Sequence, residues 1–173
     1  AKLHPREAAW IAGNATPKLI FTHAEHVAAG REALPEGVAP HIVAIEDFEL
    51  PAPAADVALP AEGGADEPAW VFYTSGTTGR PKGATLTRRN LVACTVNCLA
   101  DIFDFRASDR VLHVAPLSHG GGLYLIPSLA RGAENIVSDL PSFQPDEVLD
   151  LVAARGITAF AFVAPTMIVR LLE

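Results

Sequence analysis

Short apolar runs alternate with helix-length segments along this chain, and that alternation restricts its fold more than any other feature. Residues 5–13 read as a helix, 18–22 (KLIFT) as a strand, 24–33 as a helix and 41–45 (HIVAI) as a strand. Strands separated by helices pair through crossovers, so the pattern predicts the α/β class: a parallel-type sheet flanked by helices. The same rhythm returns later, with a strand at 110–115, a helix running to Arg131 that Pro127 is expected to kink, and a strand at 134–139. A further helix carries Pro145, Asp146 and Glu147 in its first turn and Gly156 after its last. A buried strand at 158–163 and a helix over MIVRLLE follow, and no internal repeat is present.

Between the two stretches the rhythm fails. Residues 47–68 hold four prolines and six acidic residues with no helical or strand period, which predicts an exposed linker. The expected organisation is a partial α/β unit at 1–46, this acidic linker at 47–68, and an α/β core segment at 69–173. The last begins with two short strands, 69–75 and 84–87, able to pair as a hairpin with a long tip. Thr87 is placed to cap the next helix, where Leu91, Cys94, Cys98, Ile102 and Phe105 recur at the spacing of a buried stripe.

Charge and cysteine usage exclude several classes of function. With 13 Lys and Arg against 20 Asp and Glu, the chain carries −7 and offers no broad cationic face to nucleic acid or an anionic membrane. Cys94 and Cys98, one turn apart in an apolar stretch, read as reduced core residues. No apolar run reaches the ~18 residues of a membrane span, and a soluble, cytoplasmic protein is expected.

Lysine is scarce, and one of the three lies in the segment richest in chemistry, YTSGTTGRPKG at 73–83. Glycines 76, 79 and 83 let backbone amides approach and surround an anion. Thr74, Ser75, Thr77 and Thr78 add hydroxyls, Lys82 adds a mobile positive charge, and Pro81 restricts the far side. The spacing is not that of G-x-x-x-x-G-K-[ST], since Pro81 precedes the lysine, nor of G-x-G-x-x-G, since Thr78 stands two residues after Gly76. On residue types alone, phosphate binding and a plain hairpin tip account for the segment about equally well.

A second motif is P-L-S-H-G-G-G at 116–122, where glycines surround His119. A histidine on such a turn can act as donor, acceptor or acid/base, although the motif by itself reads more simply as a helix-capping turn. His113, in mid-strand, reads as a satisfied sheet residue. His23 and His26 are close enough for a metal pair, but a solvated helix start accounts for them better.

YTSGTTGRPKG resembles, at every position, the phosphate-loop signature of the adenylate-forming superfamily, which includes acyl-CoA synthetases, luciferases and peptide-synthetase adenylation domains. The opening HPREAAWIAGNATPKLIFT, the LTRRN after the loop, PLSHGGG and the closing VAPTMIVRLLE fall in the order of that family's large N-terminal domain. Arg88 departs from the histidine often found there. The resemblance implies a two-step ligation of a small-molecule carboxylic acid, ATP and coenzyme A. It makes Thr74 the Mg2+-contacting residue, and Ser75, Gly76, Thr77, Thr78, Gly79 and Lys82 the phosphate contacts. His119 is expected beside the carboxylate.

The same resemblance leads us to expect a segment of a longer enzyme. The adenine, ribose and catalytic-lysine motifs of the family would lie beyond Glu173, and on the order of a hundred residues would precede Ala1. The 173 residues alone are accordingly expected to be inactive and to self-associate through surfaces that missing parts would cover. A non-catalytic nucleotide- or partner-binding segment, and a phosphotransfer enzyme with an atypical loop, are the competing classes.

Overall fold

The computed structural model describes residues 3–50, 63–74, 80–118, 120–140 and 142–173. The chain divides into two compact units, one of residues 1–63 and 71–85 and the other of 64–70 and 86–173.

In the first unit, helix α1 (Pro5–Ala15) starts where a capping box can form. The Arg6 N–H donates to His4 Nδ1 at 3.2 Å, and the His4 N–H donates to Glu7 Oε2 at 3.2 Å. It ends at Thr16, whose left-handed φ of 44° turns its N–H back onto the Ala12 carbonyl. Strand β1 (Leu19–Thr22), helix α2 (Ala24–Ala33) and strand β2 (His41–Ala44) then form one parallel crossover unit, with Leu19 opposite His41 and Thr22 opposite Ala44. Among the described residues of this first unit, Ala12 of α1 and Ile42 of β2 are buried. His23 occupies the N-cap of α2 without capping it. Glu46 does so instead: one carboxylate oxygen accepts from the Ala24 N–H at 2.9 Å and the other lies 2.8 Å from His23 Nδ1. The His23 side chain and the Ala24 amide hold the Glu46 carboxyl below its usual range.

Strands β3 (Pro68–Thr74) and β4 (Lys82–Thr87) form a two-stranded sheet. The seven residues between them are too few for a parallel crossover, so the pair is a hairpin, as the sequence predicts. Most of the expected linker, residues 51–62, lies outside the described residues.

In the second unit, helix α3 (Arg88–Asp101) opens on a capping box made by Thr87 and Asn90. Residues 65–67 dock on this helix start. The Arg89 and Arg88 amides donate to the carbonyls of Ala65 and Glu67, and the Arg89 guanidinium forks onto Asp66 at 2.8 and 3.1 Å. Leu91, Cys94 and Cys98 turn inward as expected. Ile102 does not: the helix ends at Asp101, and Ile102 is 60% exposed just past it. Phe105, two residues after the Phe103 ring it stacks on, re-enters the core at 2% exposure.

The main sheet is parallel, in the order β6 (Glu134–Val137), β5 (Arg110–His113), β7 (Ala159–Phe160). As the central strand, β5 is covered on both faces, which is why Val111 and Leu112 are fully buried in sequence. His113, 3% exposed, is the satisfied sheet residue the sequence predicts: its Nε2 lies 2.7 Å from Asn135 Oδ1. Asn135 Nδ2 donates to the Ala133 carbonyl, which fixes the amide's orientation and makes His113 Nε2 the donor. Buried Ser128 donates to the same Asn135 oxygen at 2.6 Å.

After β5 a 3-10 turn (Gly120–Tyr124) leads into the short helix α4 (Leu125–Ala130). Pro127 stands in the first turn of α4, where no intrahelical donor is needed, so it begins a helix and does not kink one. Helix α5 (Pro145–Arg155) ends on Gly156 at φ 58°, and α6 (Pro165–Leu172) exposes Ile168, Val169 and Leu172. Among the described residues no helix is long and apolar enough to cross a membrane.

These contacts set two expectations for stability. A Cβ at Gly122 would overlap the Leu117 carbonyl oxygen, whereas one at Gly120 would meet nothing within 4 Å. Gly122→Ala should lower stability by ~1–3 kcal/mol and Gly120→Ala by less than ~0.5 kcal/mol in denaturant melts. Asp109 accepts from the Arg106 amide at 2.7 Å and from the Thr158 hydroxyl at 2.9 Å, bonds that hold its carboxyl below the usual range. A depressed carboxyl stabilises the fold above its unfolded pKa, and that contribution is lost as pH falls through the folded value. Asp109→Ala should therefore lower the melting temperature at pH ~7 and lose less on acidification below pH ~4 than the parent, read by thermal melts across pH.

Candidate phosphate-binding site

The residues that the loop resemblance assigns to phosphate lie in sequence on and beside the connection between β3 and β4. Ser75, Gly76, Thr77, Thr78 and Gly79 lie outside the described residues, as does His119. Thr74 and Lys82 are described: Thr74 is the last residue of β3, Lys82 the first of β4, and both are exposed. Because the two strands pair, a hydroxyl and an ammonium are brought to the two arms of one loop.

The arms are themselves held. The Tyr73 hydroxyl donates to Asn14 Oδ1 at 2.6 Å, and Trp10 Nε1 donates to the Pro81 carbonyl at 3.1 Å. The Arg80 guanidinium lies 4.9 Å from the centre of the Trp10 ring, a cation–π distance. Gly83 allows the strands to close up beneath, since a Cβ there would sit 2.9 Å from Val71 Cγ1 and 3.1 Å from Tyr73 Cζ. Trp10 and Asn14 are contributions that sequence reasoning misses. They are 71 and 59 residues from their partners, and a lone chain carries no signal across such distances.

The electrostatics of the arms suit a polyphosphate. Neither Arg80 nor Lys82 is paired with a carboxylate among the described residues, in a chain whose formal charge is −7. Two cations without carboxylate partners among the described residues, close together in sequence, favour a local positive potential. No group of three His, Cys, Asp or Glu able to hold a metal occurs among the described residues. A hydroxyl such as that of Thr74 nevertheless suits Mg2+, which takes few protein ligands and keeps water and phosphate oxygens.

The histidine motif borders a different feature. At the C-terminal ends of β5 and β6, where parallel sheets place ligand clefts, a groove of about 310 Å3 is lined by His113, Pro116, Leu117, Ser138, Phe143 and Met167. A larger cavity, about 430 Å3, lies in the first unit among α1, α2 and the β1–β2 pair and is lined by none of the sequence-predicted site residues. Thiol chemistry is disfavoured: burial, with Cys94 beside it, pushes the Cys98 thiol above its ordinary value, so it stays protonated.

The model of the family described as AMP-binding enzyme matches residues 1–173. A medium/long-chain fatty-acid–CoA ligase of Mycobacterium tuberculosis is 38% identical over 108 residues, covering 62% of this chain and 18% of that protein. A sulfoacetate–CoA ligase of Cupriavidus necator is 39% identical over 146 residues, or 77% of this chain and 28% of the relative. Among solved structures, ATP-bound MatB from Rhodopseudomonas palustris aligns with 99% of this chain and 34% of its own at 26% identity and a TM-score of 0.74. O-succinylbenzoate coenzyme A synthetase of Bacillus subtilis, in complex with AMP, aligns over 99% and 43% at 24% identity and a TM-score of 0.80, a likeness of fold. The chain spans only 18–28% of the length of these curated relatives. With its full length matched and its α/β architecture shared with these solved structures, the chain belongs to the AMP-binding enzyme family.

Proposed function

We propose that the chain is part of the N-terminal domain of an ATP-dependent carboxylate–CoA ligase and supplies the loop that holds the ATP phosphates. One observation carries this reading: the β3–β4 pair brings exposed Thr74 and Lys82 to the two arms of a loop whose cations have no carboxylate partners among the described residues.

In the first half-reaction a carboxylate oxygen bonds to the α phosphorus of ATP, the bond to the bridging oxygen breaks, and pyrophosphate leaves with the electron pair. In the second, the coenzyme A thiol gives up its proton, its sulfur bonds to the acyl carbon, and the bond from that carbon to the phosphate oxygen breaks so that AMP leaves with the electron pair. Charge builds on the departing pyrophosphate, so donors fixed beside it lower the barrier. Lys82 and the hydroxyls and amides of Ser75, Gly76, Thr77, Thr78 and Gly79 are assigned that task, with the Thr74 hydroxyl directed to Mg2+. When bound, Mg2+ supplies charge neutralisation at the phosphate oxygens. His119 is assigned to the carboxylate side, and the free thiols of Cys94 and Cys98 suit a reducing compartment such as the cytoplasm.

The small share of its relatives' length that the chain spans favours a second statement about the 173 residues taken alone. They bind nucleotide weakly at most, do not turn over, and self-associate through faces such as the exposed Ile168, Val169 and Leu172 of α6.

The test is carboxylate-dependent ATP–pyrophosphate exchange by the complete polypeptide that carries this segment. Removing the charge-assisted bonds of one ammonium costs ~1.5–3 kcal/mol, so Lys82→Ala should reduce kcat/KM for ATP by roughly 10- to 150-fold. Release of ADP in place of AMP would select phosphotransfer and overturn the reading. Exchange activity in the isolated 173 residues would overturn the second statement.

A further inference from the structure

Trp10 and Asn14 stand four residues apart on α1 and so share one face of that helix. From that face each reaches a different arm of the β3–β4 loop. Asn14 takes the Tyr73 hydroxyl on the residue before Thr74, and Trp10 takes the Pro81 carbonyl on the residue before Lys82. The Trp10 ring also carries the Arg80 guanidinium. Both groups that the phosphate reading depends on are thus one residue from an anchor, and both anchors belong to one rigid element.

We propose that Trp10 and Asn14 are positioning residues for phosphate binding: α1 holds the two arms of the loop at fixed places, so that Thr74 and Lys82 meet the ATP polyphosphate already oriented. The inference rests on the phosphate reading of the loop. Its physical basis is preorganisation. A loop whose arms wander must lose that freedom when the ligand binds, and affinity falls by the entropy lost; arms ordered beforehand lose less. The α1 helix is a suitable anchor because both its ends are secured, by the His4–Glu7 capping box and by the left-handed turn at Thr16. Trp10 and Asn14 are exposed and their bonds are solvent-facing, so breaking one should loosen an arm and leave the fold standing.

The experiment compares Asn14→Ala, Tyr73→Phe, Asn14→Ala with Tyr73→Phe, Trp10→Phe and Lys82→Ala in the complete polypeptide, measuring kcat, KM for MgATP, KM for the carboxylic acid, and melting temperature. Trp10→Phe keeps an aromatic ring for Arg80, though a smaller one, and removes the N–H donor. Asn14→Ala, Tyr73→Phe and Trp10→Phe should each raise the KM for MgATP by roughly 2- to 10-fold, the effect of one hydrogen bond, with the KM for the carboxylic acid and the melting temperature unchanged. The Asn14–Tyr73 double variant should be no worse than either single one, because both remove the same bond. If Lys82→Ala lowers kcat/KM for MgATP while these variants leave it unchanged, the positioning role fails and the phosphate reading stands. The positioning role fails equally if they lower the melting temperature and raise both KM values together. If Lys82→Ala leaves both kcat and the KM for MgATP unchanged, the phosphate reading fails and the positioning role with it.

Discussion

The pairing of β3 with β4 is the interaction on which the candidate site depends. A loop that is to receive an anion must keep its own donors unsatisfied, which is costly unless something else fixes the chain on either side. Here the ladder between the two strands does so, and Gly83 permits it by leaving room for Val71 and Tyr73 where a side chain would collide with both. The hydrogen bonds to Trp10 and Asn14 extend the same constraint to the last residues before the loop.

Electrostatics follow from that scaffold. Several arginines among the described residues pair with carboxylates: Arg89 with Asp66, Arg106 with Asp104, and Arg110 with Glu134. Exposed pairs of this kind contribute little to stability, but they neutralise the surface around them. Arg80 sits on an aromatic ring instead, and a ring does not cancel its charge. Arg80 and Lys82, without carboxylate partners among the described residues, thus bring positive charge to the loop arms in a chain with an excess of acidic residues.

Much of the fold is legible in the sequence because the governing signals are local. Parallel strands buried on both faces show as apolar runs, and helix ends announce themselves through Thr87, Pro145 and Gly156. The errors also have local causes. Ile102 matches the helical period, but a period cannot show that the helix stops one residue earlier. Pro127 reads as an interruption because the 3-10 turn before α4 leaves no trace in the sequence, and without that turn the proline falls mid-helix. The strand at 158–163 narrows to Ala159–Phe160, which lie opposite Val111 and Leu112, with the Thr158 and Ala161 amides donating to β5 on either side. The Glu46 cap on α2 is out of reach for a different reason, being supplied from 22 residues away by a group outside the helix.

The candidate site divides along the same line. The loop motif is readable because its residues are contiguous and its chemistry is carried by residue type, and the structure adds where Thr74 and Lys82 stand. The α1 anchors cannot be read, because Trp10 and Asn14 look like ordinary surface residues of an amphipathic helix until the tertiary fold brings Tyr73 and Pro81 to them. An anion loop presents two separable problems, supplying donors and restricting the chain that bears them. Solving the first requires particular residues at particular spacings and leaves a motif. Solving the second requires only that something rigid stand nearby with a hydrogen-bonding group, so many residues would serve and no motif results.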